Sequence, residues 1–140
     1  MLSYNHKKEI EQAIKAGKRA SKALKKAQKK LDDASTWGFF DLIGGKTMSG
    51  LLKHGNLEGA RNALRDARHE LERFSNELDD IHGLSTPDLG IGAFATFADL
   101  FLDGFWSDLY VQAKIDDAKR EVKRSRKQVK SVISELERQL

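Results

Sequence analysis

A chain of 140 residues and 15.8 kDa, with 33% charged and 39% hydrophobic side chains, has the size of one domain and enough apolar residues for a core. Its formal net charge is +4, it holds one proline, and it has no cysteine. Scarce proline permits long helices, while the lack of cysteine excludes disulfides, thiolate metal sites and cysteine nucleophiles.

The start of the chain carries no signal-peptide pattern, because Met1 is followed by polar Ser3, Asn5 and His6 and then by lysines. The most apolar stretch, 93–111, contains Asp99, Asp103 and Asp108. Each would cost about 2.5–3.5 kcal/mol at the centre of a bilayer helix, so this stretch does not read as a membrane span. A cytoplasmic protein is the expectation.

In chain order, the first predicted helix covers about 4–34. Its seam is Ile10, Ala13, Gly17, Ala20, Leu24, Ala27, Leu31 and Ala34, spaced three and four apart. These small residues allow a partner helix close but bury little apolar area, so the helix is expected to depend on its neighbours. Residues 35–55 then leave the seam pattern, with Trp37, Phe39, Phe40, Leu42, Ile43 and five glycines. Here Gly44-Gly45 reads as a turn and Thr47 as the cap of a short helix through Leu52.

The triplet Gly45-Lys46-Thr47 ends like a nucleotide-binding P-loop. That motif needs a glycine five residues before Gly45, where Phe40 stands, and a buried strand before it, where a lysine-rich helix is predicted. The resemblance to a phosphate cradle is therefore accidental, and no cofactor is expected.

The middle helix is predicted over about 57–82, with Leu57, Ala60, Leu64, Ala67, Leu71, Phe74, Leu78 and Ile81 as its seam. Asn56 is the candidate N-cap and Gly83 the stop. Ser85-Thr86-Pro87-Asp88 opens a short apolar helix, about 87–103, that carries Phe94, Phe97 and Phe101 and ends near Gly104. The last helix is predicted over about 105–139, with Val111, Ile115, Ala118, Val122, Ser125, Val129, Val132 and Leu136 in the same heptad-like spacing. Together these elements predict an all-α, antiparallel up-and-down bundle of three long helices and a short fourth.

A shift of 58 residues lays 97–139 over 39–81 without a gap. "FFDL" at 39–42 meets "FADL" at 97–100, Ser49 meets Ser107, and Leu51 meets Leu109. An internal helix-hairpin repeat is one explanation; sliding of two heptad patterns is the other.

Candidate chemistry is sparse. Asp66 and His69 share one helical turn, but the positions 58 residues on are Arg124 and Lys127, so no second half of a bundle metal site exists, and no metal is expected. Asp41 and Asp99 lie among aromatics and are read as backbone caps at corresponding turns. Without a nucleophile–base pair the chain is not expected to be an enzyme.

Two surfaces remain. Trp37, Phe39, Phe40, Phe94, Phe97, Phe101, Phe105, Trp106 and Tyr110 gather most of the aromatics and form a candidate interaction patch for a homodimer or another protein. Lys15, Lys18, Arg19, Lys22, Lys25, Lys26, Lys29 and Lys30 form a tract without an acid; Lys119, Arg120, Lys123, Arg124, Arg126, Lys127 and Lys130 form a second, broken only by Glu121. Such tracts are either solvated helix faces or, as the alternative, a nucleic-acid interface. The deciding observation is whether they meet on one face or are separated by acids.

The stretches "TWGFFDLIGG" (36–45), "KHGNLEGAR" (53–61) and "LERFSNELDDI" (71–81) resemble a small group of uncharacterised proteins from Gram-positive bacteria. The resemblance covers roughly 36–140 and implies a four-helical up-and-down bundle, with no activity or catalytic residues to carry over. A protein-interaction or scaffolding role is the expectation that best fits all of these features.

Overall fold

The protein is described by a computed structural model, which covers residues 4–44, 47–81 and 112–140, with side chains over 5–34, 58–81 and 116–140. These residues form three helices: α1 (Tyr4–Gly44), α2 (Thr47–Asp79) and α3 (Gln112–Arg138). No strand occurs among the described residues.

The seams lie where their spacing put them. All eight predicted seam positions of α1 are buried, from Ile10 to Ala34. On α2, Ala60, Leu64, Ala67, Leu71, Phe74 and Leu78 are buried, as is Ile81 just past its end; on α3, Ala118, Val122, Ser125, Val129 and Leu136 are, while the predicted seam side chains of Leu57, Val111 and Ile115 lie outside the described set. Ser125 is the only buried polar side chain among the described residues, at 5% exposure. Ile14 and Ala16 widen the stripe on α1 because two helices, not one, pack against it.

Four contacts fix the helix directions. Gly17 faces Phe74 of α2 and Ile133 of α3, while further along α1 Lys30 lies beside Gly59 and Asp32 pairs with Lys119. Position increases along α1 as it decreases along both neighbours, so α1 runs antiparallel to each. Among the described residues no Cα of α2 comes within 8 Å of a Cα of α3. The alanines and Gly17 let α1 approach both neighbours closely.

Several predicted boundaries need correction. Residues 35–44 continue α1 to Gly44 instead of forming a connecting segment, and α2 begins at Thr47, not near 57. Asn56 is consequently inside a helix and caps nothing, and the short helix expected from Thr47 to Leu52 is the first part of α2. The 3-4 apolar pattern reports a packed face and does not mark where the backbone leaves the helix. Gly50 and Gly55 each cost a helix about 1 kcal/mol relative to alanine, a local preference that did not stop α2. On α3, Ile133 is buried beside Gly17 while the predicted seam residue Val132 is half-buried against the core. A straight helix drifts against a seven-residue repeat, which brings the next residue round to the contact. The expected helix over 87–103 and the cap at Gly83 lie outside the described residues.

Two glycines give opposite expectations. A methyl on Gly17 would lie 2.8 Å from Ile133 Cγ1 and 3.0 Å from Phe74 Cε1 and Cζ, atoms that cannot retreat without moving a packed helix. On Gly59 the nearest atom would be Lys30 Cδ at 3.6 Å, an ordinary contact with a flexible side chain. Gly59→Ala should therefore stabilise the fold by about 0.5–1 kcal/mol. Gly17→Ala should destabilise it by about 1–2 kcal/mol, overpacking outweighing the same propensity gain. Urea denaturation of both variants checks the pair.

Candidate functional site

On α1 the apolar stripe occupies one side, so the cations are confined to the other. Lys15, Lys18, Arg19, Lys22, Lys25, Lys26 and Lys29 are all exposed, and Lys30 is half-buried beside α2. Spacings of three and four place Lys18, Lys22, Lys25 and Lys29 in one row along the outer ridge.

Each flank of this ridge is an open surface groove. Toward α2 it has a volume of about 650 Å³, with Arg19, Lys22, Lys25, Lys26 and Lys29 on one wall and Asp66, His69 and Glu70 on the other. Asp66 and His69 are exposed there. Among the described residues no group of three potential metal ligands is assembled. Toward α3 the groove is about 430 Å³ and brings Lys18, Ser21, Lys22 and Lys25 together with Lys130, Ile133, Ser134 and Glu137.

The second basic tract divides by task. Lys119 Nζ pairs with Asp32 Oδ1 at 3.0 Å, and Arg126 Nη1 donates to Gln28 Oε1 at 3.2 Å, so both tie α3 to α1. Arg120 pairs with Asp117, and Arg124 Nη1 lies 3.8 Å from Glu121 Oε1, both within α3. Lys123, Lys127 and Lys130 are exposed. The two predicted tracts thus meet at Lys18, Lys22, Lys25 and Lys130, with acids at both limits of the contact, Asp32 beside Lys119 and Glu137 beyond Ile133. Along α2 the groove is mixed in sign. On the α3 side Lys130 is the member of the second tract that shares a groove with Lys18, Lys22 and Lys25, and Glu137 lines the same groove.

Sequence pattern gave the cations but not Gln28 and Asp32, which dock α3 through its basic residues. The available signal was that the acid-free run stops at Asp32. Of the predicted interaction patch and caps, Trp37, Phe39, Phe40 and Asp41 have helical backbone in the last turns of α1, and their side chains lie outside the described set. Phe94, Phe97, Asp99, Phe101, Phe105, Trp106 and Tyr110 fall wholly outside the described residues. Leu140, at the chain end and 51% exposed, is the one large hydrophobic exposed among the described residues.

Comparison with known proteins adds no relative: no family model matches the chain, and neither the curated proteins nor the solved structures contain a significant match.

The ridge carries an electrostatic cost. Lys22 has Lys18 and Lys26 four residues away and Arg19 and Lys25 three away, and like charges at these spacings destabilise a helix by about 0.2–0.5 kcal/mol per pair. Lys22→Gln should accordingly raise stability in urea by about 1 kcal/mol at low salt, the lower end of the sum over these neighbours, with the gain shrinking as added salt screens them. A gain independent of ionic strength would point to another cause.

Proposed function

We propose that the protein is a non-enzymatic interaction module of scaffolding type that engages a protein partner through its helix surfaces. The observation that carries this is the shape of the described surface: α1 and α2, of 41 and 33 residues, are rods roughly 60 and 50 Å long, flanked by open grooves and polar along their outer sides over 5–34 and 58–79. Extended faces suit docking of another macromolecule better than enclosure of a small substrate.

The fuller architecture belongs to the same proposal. The short apolar helix over about 87–103 completes a four-helix up-and-down bundle with coiled-coil-like packing, as the likeness to the Gram-positive group implies. The antiparallel placement of α1 against both α2 and α3 supports it, since in such a bundle the first helix opposes the second and the fourth. A duplicated hairpin accounts for burial at Ala60 and Ala118, Leu64 and Val122, and Leu78 and Leu136, each pair 58 residues apart. The aromatic segments are the proposed seat of self-association as a homodimer. A cytoplasmic setting is part of the same proposal; no helix among the described residues is long and apolar enough to cross a membrane.

Two measurements test the proposal. Nuclease-treated pull-down from the native host should retain a protein partner through a high-salt wash, and recovery of no salt-resistant protein overturns the scaffold role. Light scattering should give twice the 15.8 kDa chain mass, falling to the single mass in a Phe39→Ser/Phe97→Ser variant. A strict monomer at high concentration removes the homodimer.

A further inference from the structure

The scaffold role rests on long helix surfaces and does not by itself explain why cations gather on one side of α1. Among the described residues, no ion pair reaches Lys18, Lys22, Lys25 or Lys130, although Asp32 and Glu121 each engage another cation nearby. The apolar side of α1 is consumed by α2 and α3, so the ridge offers charge and no apolar wedge. From Lys15 to Lys29 seven exposed cations span about 21 Å of helix, at 1.5 Å per residue. That is about one positive charge per 3 Å, close to the spacing of about 3.4 Å per phosphate along one strand of a duplex.

We infer that the ridge of α1, with Lys130 of α3 beside it, is a binding face for the phosphate backbone of double-stranded DNA, engaged without reading its sequence. A duplex is favoured over a single strand because single-strand sites add aromatic platforms on which bases stack, and no aromatic side chain interleaves with Lys15–Lys29. A lipid surface is disfavoured because an interfacial helix inserts an apolar face, and the apolar face of α1 is already buried. Contacts from exposed lysines to phosphates position a duplex without carrying sequence information, and six of the seven exposed cations are lysines. This surface borders the two grooves on which the scaffold role rests, but the tests fail separately: loss of duplex binding leaves a salt-resistant protein partner in the nuclease-treated pull-down unaffected.

The test is fluorescence anisotropy of the full chain with two unrelated DNA duplexes of about 20 base pairs, titrated from about 50 to 200 mM salt. Both duplexes should bind equally, and log K should fall against log salt with a slope of about −4 or steeper, as four or more neutralised phosphates require. Lys22→Gln/Lys25→Gln should flatten the slope by about 2 and weaken binding at least about tenfold at low salt. Arg65→Gln/Arg138→Gln removes the same net charge from other surfaces and should leave the slope unchanged. Circular dichroism of each variant verifies that the helices are retained. The inference is overturned by absence of binding at low salt, by equal losses in the two variants, or by stronger retention on phosphatidylserine vesicles than on the duplexes.

Discussion

The close approach at Gly17 is the constraint on which the described structure depends. There a phenylalanine from one helix and an isoleucine from another converge on a residue with no side chain, within 3.0 Å of where a methyl would stand. The alanines above and below extend this narrow strip along α1. Small residues bury little area each, and the sequence alone implied a helix that leans on its neighbours. The structure makes α1 the shared partner of both, since the same small residues let two backbones come near it while α2 and α3 stay apart.

That arrangement also decides where the charge goes. With two neighbours the buried stripe of α1 takes in Ile14 and Ala16 besides the seam, and the remaining arc is left to seven exposed cations. Lysine stems cover the apolar margin of a helix while their ammonium groups stay in water, so packing tolerates such a ridge. Mutual repulsion does not favour it, which is why a role outside folding is sought for it.

What the sequence made legible follows the same division. Burial at Leu64, Phe74, Val122 and Leu136 could be read because a 3-4 apolar pattern is a direct imprint of a packed face. The ends of α1 and α2 could not, because Ala34 and Leu57 mark where the pattern stops, not where the backbone turns. Asn56 and Thr47 were both reasonable caps by residue type, and only Thr47 stands at a helix start. The cations of the candidate face were legible as runs, but their meeting was not. That Lys130 lies beside Lys22 while Lys119 is held by Asp32 depends on the relative placement of helices far apart in the chain. The aromatic patch, the clearest surface in the sequence, has its side chains outside the described residues.

The connectivity of the three helices has a consequence for assembly. α1 and α2 are separated by two residues, so their pairing closes a short loop, whereas Arg126 meets Gln28 across 98 positions. Loop closure grows costlier with length, and local contacts form faster. The hairpin of α1 and α2 is thus placed to form first as the chain is synthesised, with the side of α1 that receives α3 still wet. For that interval the side of α1 that carries Gly17, Ser21 and Gln28 is open to any helix of matching pattern, including α3 of a second chain. An exchanged dimer built from native contacts alone is the assembly hazard inherent in giving one narrow helix two partners.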